Sequence, residues 1–181
     1  MSELLNLSKK VLLIGDPSVG KTSLIRKFVY DMFDDSYLST LGAKVSRKKI
    51  MYDDHRNGTK IEVKLLIWDV MGQKEYSMLH RSAYQGAQGA LIVCDITRRI
   101  TLENITNWIS GLFNITGQIP IILIGNKNDL AIRKEISFED LTKIANTFSA
   151  PTFFASAKTG ENVEASFQKL TEFLVKDDIN Q

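Results

Sequence analysis

Phosphate chemistry is indicated most strongly by the run from Gly15 to Thr22. It has the pattern G-x-x-x-x-G-K-T, and it lies between an apolar run and a helical pattern. The glycines let successive backbone N–H groups point inward at phosphate oxygens, and the positive end of the following helix adds to them. Lys21 brings a charge to the terminal phosphates, and the Thr22 hydroxyl can bind Mg²⁺. The run predicts a phosphate-binding loop, with a plain glycine turn as the alternative.

A second metal ligand is predicted at Asp69, which directly follows the strand-like run Val63 to Ile67 and Trp68. In open α/β sheets, ligands bind where strands reach their C-terminal ends. Asp69 can hold Mg²⁺ directly or through water. The Gly72 N–H can approach a γ-phosphate, and Gln73 can orient an attacking water. These residues predict a site for a nucleoside triphosphate.

Base recognition is predicted for Asn126 to Asp129, which follows the apolar run Ile119 to Ile124. The Asp129 carboxylate can accept hydrogen bonds from the N1–H and 2-amino groups of guanine. Adenine offers neither donor, so such a site discriminates by roughly 10⁴ or more. In the later run Ser156-Ala157-Lys158, the Ala157 N–H can meet the guanine O6. A turn with a helix cap is the alternative for the first segment.

The elements that must position these residues follow an alternating pattern. Nearly continuous apolar runs occur at Val11–Ile14, Ala90–Val93, Ile119–Ile124 and Thr152–Ala155. Such runs are typical of strands buried on both faces of a parallel sheet. Apolar residues at helical spacing occur in the segments Leu24–Met32, Leu102–Leu112, Phe138–Phe148 and Val163–Phe173. Strand alternating with helix predicts a doubly wound α/β fold.

One pair of strand-like segments departs from this alternation. Lys44–Tyr52 and Lys60–Asp69 flank Asn57-Gly58, which is a strong hairpin-turn signal. We therefore expect one antiparallel edge strand in an otherwise parallel sheet. The basic run Arg47 to Lys49 on that strand is interpreted as a solvated, charge-protected edge in preference to a docking patch.

Composition excludes several classes of protein. The chain has 181 residues, 44% of them hydrophobic, which is ample for one core and argues against disorder. Its 23 basic and 21 acidic residues leave a charge of +2, so binding of nucleic acid by bulk electrostatics is not expected. The single cysteine, Cys94, excludes an internal disulfide. We expect a cytoplasmic protein, monomeric and without a nucleic-acid partner.

With four nucleotide-site motifs in this order, the chain resembles a small GTPase of the Ras superfamily, and most of all its Rab branch. The Rab likeness is carried by Ser39–Ala43, Lys64–Asp69, Ala83–Ala87 and Gly89–Thr97. The resemblance runs from about Lys9 to Lys176. It implies a three-layer P-loop GTPase domain over 9–176, with a six-stranded mostly parallel sheet, one antiparallel edge strand and helices on both faces. Residues 1–8 would form an N-terminal extension and 177–181 a short tail.

The resemblance also implies roles for residues that the motifs alone do not assign. Thr40 would complete the Mg²⁺ shell and, with Gln73, hold the attacking water. Phe33 would pack edge-on against guanine, and Tyr37 would cover the phosphates. The implied catalytic residues are Gln73, Lys21 and Thr40; the metal ligands are Thr22, Thr40 and Asp69. The implied nucleotide contacts are Gly15, Ser18, Val19, Gly20, Lys21, Thr22, Ser23, Phe33, Tyr37, Thr40, Gly72, Asn126, Lys127, Asp129, Ser156, Ala157 and Lys158.

Within that set, Lys127 and Lys158 would flank the base and ribose. Asn126 would tie the base loop (Asn126–Asp129) to the phosphate loop (Gly15–Thr22). The implied function is a GTP/GDP switch with Mg²⁺, slow hydrolysis and an association with membrane traffic. Effector, exchange-factor and GTPase-activating proteins would bind switch segments at about 34–45 and 70–84. The activating protein would supply an arginine to the reaction.

Three departures from the family pattern keep alternatives open. Pro17 stands in the phosphate loop, and Val70-Met71 replaces the usual Thr-Ala before Gly72. They leave a guanine-nucleotide-binding module with little hydrolysis as the main alternative. An ATPase or nucleotide kinase is a second one, which Asp129 opposes. The third departure is the Asn57-Gly58 hairpin, which is longer than usual. The tail contains no cysteine, so we expect no lipid anchor in the chain as given. Arg98-Arg99 is interpreted as solvated.

Overall fold

The computed structural model describes residues 4–33, 43–54, 59–71 and 77–179. Within these ranges six strands form one sheet in the order β2-β3-β1-β4-β5-β6. The strands are β1 (Leu4–Ile14), β2 (Ala43–Asp54), β3 (Thr59–Val70), β4 (Gly89–Asp95), β5 (Ile121–Asn126) and β6 (Thr152–Phe154). β2 is antiparallel to β3, and the other neighbours are parallel. The predicted sheet, with its single antiparallel edge strand, is confirmed.

Helices in the same ranges connect the strands. They are α1 (Lys21–Tyr30), α2 (Ser77–Tyr84), α3 (Arg99–Glu103), α4 (Ile105–Thr116), α5 (Phe138–Thr147) and α6 (Val163–Ile179), and a 3-10 helix spans Asn128–Arg133. No helix in the described part of the chain is long and apolar enough to cross a bilayer.

Two apolar cores lie on opposite faces of the sheet, which gives the predicted three layers. Every residue of β4 and β5 is buried, as their continuous apolar runs predict. One core packs α1 and α6 against the sheet, with Phe28 and Phe167 stacked at 3.9 Å between ring centroids. The other core packs α2 to α5 against the opposite face. Packing on both faces holds the sheet in place, and the loops of the site extend from the C-terminal ends of its strands.

The first strand begins at an earlier residue than the apolar run Val11–Ile14 predicts. β1 begins at Leu4, so residues 4–8 of the expected N-terminal extension pair with β3, from Leu4 opposite Lys60 onward. Lys9 interrupts the apolar pattern, but its ammonium is buried and forms an ion pair of 2.6 Å with Asp178. Asp178 belongs to α6, which continues to Ile179 through most of the expected tail.

Two predicted helical segments differ in detail. The stripe from Leu102 to Leu112 is buried, but it is divided between α3 and α4, with Asn104 between them. α1 ends at Tyr30 because Asp31 adopts a left-handed φ of 53°. The prediction that the helical segment extends from Leu24 to Met32 was therefore wrong at its C-terminal end. Met32 is 64% exposed.

The β2–β3 pairing is continuous from Ala43 opposite Val70 to Asp54 opposite Thr59. The turn residues Asn57-Gly58 lie outside the described residues. Arg47 and Lys49 on this edge strand are exposed, as predicted for a solvated edge. Lys48 points the other way, and its Nζ donates to the Phe28 carbonyl of α1 at 3.1 Å.

Candidate functional site

The loop after β1 is shaped by close backbone approaches. Gly15 has a φ of 143°, and a Cβ there would lie 2.2 Å from the Val93 carbonyl oxygen. Gly20 has a φ of 98°, and its Cβ would lie 2.2 Å from Asn126 Nδ2. Both positions therefore require glycine on steric and conformational grounds. α1 begins at Lys21, directly after the loop, so the positive end of its dipole is directed at the loop.

The Lys21 ammonium lies inside this loop. The residue is only 7% exposed, and its Nζ donates to the carbonyl oxygens of Gly15 and Asp16, both at 2.9 Å. Burial lowers the pKa of Lys21 to about 8, against the attraction of Asp69 and Asp16, which favours the charged form. The loop thus presents a desolvated cation beside its backbone N–H groups.

Two predicted metal ligands meet at the start of α1. Thr22 Oγ1 donates to Asp69 Oδ2 at 2.5 Å, and Asp69 is 3% exposed near the end of β3. A hydroxyl and a carboxylate are the hard oxygen ligands that Mg²⁺ takes. The donor set therefore fits this ion. The third predicted ligand, Thr40, lies outside the described residues.

Asn126 joins the phosphate loop to the last loop of the sheet. Its side chain is buried at the end of β5, and Nδ2 donates to the Val19 carbonyl at 2.9 Å. Its Oδ1 accepts from the Ala157 N–H at 3.2 Å. In this structure the Ala157 N–H, expected to meet a guanine O6, is therefore directed at Asn126. One amide holds three loops in register.

Asp129 is exposed on the 3-10 helix, and its orientation is set by a serine. Ser156 is fully buried, and its Oγ donates to Asp129 Oδ1 at 2.6 Å. The same Oγ accepts from the Thr159 N–H at 3.1 Å, which fixes the direction of its proton. Lys158 next to it is exposed. The carboxylate is thus held at the C-terminal edge of the sheet beside the Asn126 junction.

Arg98, interpreted from the sequence as solvated, is 40% exposed and also contacts two residues near the phosphate loop. Its Nε lies 3.1 Å from Asp95 Oδ2, and its Nη2 donates to the Pro17 carbonyl at 2.8 Å. Lys127 Nζ lies 2.6 Å from the same Asp95 oxygen. The available signal was the position of Asp95, another carboxylate at the C-terminal end of a strand.

The Asp95 side chain is 1% exposed and ionised. Burial opposes the charge, but hydrogen bonds from Lys127 and from the Thr97 hydroxyl and N–H outweigh it and hold the pKa of Asp95 below its usual value. Its carboxylate therefore acts as a fixed acceptor for Lys127 of the base loop and for Arg98, which bonds the phosphate loop at Pro17.

Asp16 is a second contact that sequence reasoning missed. It is 7% exposed, and its two oxygens accept from Trp108 Nε1 at 2.7 Å and Asn104 Nδ2 at 2.6 Å. Asn104 and Trp108 stand four residues apart, so they share one side of the helical segment. That spacing was the only sequence signal. The pair anchors the first half of the phosphate loop.

The remaining predicted residues have varied placements. Phe33 lies beyond the end of α1 and is 36% exposed, and Met71 packs inward at 9% exposure. Ser23 belongs to the first turn of α1. Tyr37, Gly72 and Gln73 lie outside the described residues, which leave out 34–42 of the first predicted switch segment and 72–76 of the second.

Gly20→Ala tests the contact between the phosphate loop and Asn126. The new methyl group displaces the amide, so we expect a loss of unfolding free energy about 2 kcal/mol greater than that of Gly86→Ala. Gly86 is the matched control, because its φ is also positive at 70° but a Cβ there meets nothing within 4 Å. Urea unfolding measures both; equal losses would contradict the contact.

The Lys21 pKa predicts a pH dependence of stability. The unfolded chain keeps the lysine proton up to about pH 10.5, whereas the folded protein releases it near pH 8. Unfolding therefore takes up a proton between these values, and stability relative to Lys21→Met should rise as the pH increases through this window. Urea unfolding at pH 7 to 10.5 measures the difference, with the exposed Lys143→Met as control. Parallel profiles for wild type and Lys21→Met would refute the shift.

Comparison with known proteins indicates the family of this chain. The sequence model of the Ras family matches residues 10–176. Ras-related protein Rab-27B of Rattus norvegicus is 33% identical over 173 residues, which is 92% of this chain and 79% of that protein. Ras-related protein Rab-1A of Dictyostelium discoideum is 35% identical, and Ras-related protein Rab-13 of Canis lupus familiaris is 36% identical. Both alignments cover 89% of this chain and 77% of the relative.

The match to the family spans both the phosphate loop and the base loop, and it includes every strand at least in part. The chain therefore belongs to the Ras family and is a Rab-like small GTPase.

Proposed function

We propose that the protein is a switch that binds guanine nucleotide with Mg²⁺, hydrolyses GTP slowly and regulates a membrane-traffic step. The observation that carries this proposal is the Asn126 side chain, which bonds the phosphate loop at Val19 and the last loop at Ala157. Because one amide holds both loops, a single ligand can contact both, with its phosphates at one end and its base at the other.

The phosphates are bound by the Gly15–Thr22 loop, by Lys21 and by the first turn of α1, including Ser23. Mg²⁺ would be held by Thr22, Asp69 and Thr40, and it would neutralise charge on the β- and γ-phosphate oxygens. The buried Lys21 ammonium supports the same role, since a desolvated cation interacts more strongly with an anion than an exposed one does. Tyr37 covers the phosphates.

The base is read by Asp129, which accepts the two donors of guanine. The bond from Ser156 supports this assignment, because it holds the carboxylate in one orientation before ligand arrives. Lys127 and Lys158 flank the base and ribose, and Phe33 packs against the base edge. An adenine in this place would leave the carboxylate without its donors.

Hydrolysis depends on positioning and charge neutralisation. Gln73 and the Thr40 carbonyl hold the attacking water, and the Gly72 N–H contacts the γ-phosphate. Loss of that phosphate releases the segments at about 34–45 and 70–84, and partner proteins read the change. The partners are effector, exchange-factor and activating proteins, which bind a monomeric, cytoplasmic switch; nucleic acid is not among them.

A guanine-nucleotide-binding module with little hydrolysis is the second candidate. Two departures from the family pattern keep it open: Pro17 in the phosphate loop, and Met71 immediately before the predicted Gly72–Gln73 segment. The two candidates share the nucleotide site and differ only in the rate of the chemical step.

Asp129→Asn tests base recognition. An amide presents one acceptor and one donor, so it matches the N1–H and the 2-oxo group of xanthine and no longer matches guanine. We expect GDP affinity to fall by roughly 10³ or more and the preference to change to XDP. Competition against a fluorescent nucleotide measures both, with Asn128→Ala as the neighbouring control. An unchanged preference for GDP would sink the assignment.

Gln73→Leu tests the chemical step. The leucine cannot hydrogen-bond water, so single-turnover GTP hydrolysis should slow by roughly tenfold or more while GDP affinity stays the same. Gln85→Leu is the matched control, since Gln85 is exposed after α2. A variant as fast as wild type would refute the role of Gln73, and no measurable hydrolysis by wild type would favour the second candidate.

A further inference from the structure

The Asp95 carboxylate connects two loops of the proposed nucleotide site. It lies at the end of β4, and one of its oxygens contacts both Lys127 Nζ, at 2.6 Å, and Arg98 Nε, at 3.1 Å. Its other oxygen accepts from the Thr97 N–H and hydroxyl. Both oxygens are thus engaged, and with 1% exposure the carboxylate has little freedom to move.

Arg98 extends this junction to the phosphate loop. The guanidinium is planar, and it donates from Nε to Asp95 and from Nη2 to the Pro17 carbonyl, which fixes its orientation at two points. Arg98 stands 81 residues from Pro17 in sequence, so the contact is a long-range tie.

The hydrogen bond at the Pro17 carbonyl also sets the direction of the next N–H group in the phosphate loop. The C=O and N–H groups of one trans peptide unit point in opposite directions. A bond from Arg98 to the Pro17 oxygen therefore directs the Ser18 N–H away from Arg98. Ser18 has a φ of 64°, a conformation that a non-glycine residue adopts at a cost and that needs support from its surroundings. In the proposed site this N–H belongs to the phosphate cradle.

We propose that Arg98 is a positioning residue that couples the base loop to the phosphate loop, by bridging Asp95 and the Pro17 carbonyl so that the Ser18 N–H is held for phosphate. This inference rests on the proposed guanine-nucleotide site. Lys127 and Arg98 share one carboxylate oxygen of Asp95. The position of Lys127 beside the base and the conformation of the phosphate loop therefore depend on the same carboxylate.

The test is the release rate of a fluorescent GDP analogue from the full chain. We expect Arg98→Ala to release it about tenfold faster, a modest loss for a charge-assisted bond because the arginine side chain is 40% exposed. Arg98→Lys should remain closer to the alanine variant than to wild type, because one ammonium cannot bridge both acceptors in the same geometry. Restoration of the wild-type rate by lysine would contradict the bridge.

Arg99→Ala is the matched control. It removes the adjacent arginine, which forms an ion pair of 2.9 Å with Asp140 and bonds to Glu135, both of them away from the phosphate loop. Its GDP release should stay within twofold of wild type. An Arg99→Ala effect equal to that of Arg98→Ala would show a general charge effect and overturn the inference.

A double-mutant cycle with Lys127→Ala tests the coupling itself. If both side chains act through Asp95, the second substitution should accelerate release less than it does alone. Additive effects would contradict the coupling. A wild-type protein that binds no guanine nucleotide would refute the proposed function, whereas normal binding with an unaltered Arg98→Ala release rate would refute only this inference.

Discussion

The close approach of Gly20 to the Asn126 amide is the constraint on which the rest of the site depends. The amide bonds Val19 and Ala157 only because the residue before α1 has no side chain in its way. That contact fixes the distance between the phosphate loop and the base loop. The two-sided burial of the sheet makes it possible, since β1 and β5 end on the same rigid edge.

The buried charges of the site follow one physical rule. Lys21, Asp16, Asp69 and Asp95 are each less than 10% exposed, and each is held by hydrogen bonds or by an opposite charge. An ionised group taken out of water is tolerated only with such partners. The partners come from different loops, so satisfying each charge also orders the site.

Much of this arrangement could be predicted from sequence because its signals are local. The Gly15–Thr22 pattern and the apolar runs each specify a structure over a few residues. The long-range hydrogen bonds of the phosphate loop could not be predicted in this way. Asp16 bonds Trp108 across 92 residues of sequence, and Pro17 bonds Arg98 across 81. The early start of β1 was hidden for a related reason. Lys9 is buried through an ion pair with Asp178, and the apolar pattern gives no sign of that partner.

The central claim is that the edge of the sheet binds a guanine nucleotide. The most direct measurement is denaturation of the purified protein followed by chromatographic identification of the nucleotide it releases. The account predicts GDP or GTP in a near-stoichiometric amount, because the Asp129 carboxylate needs the two donors of guanine. Recovery of ADP or ATP as the only nucleotide would contradict it.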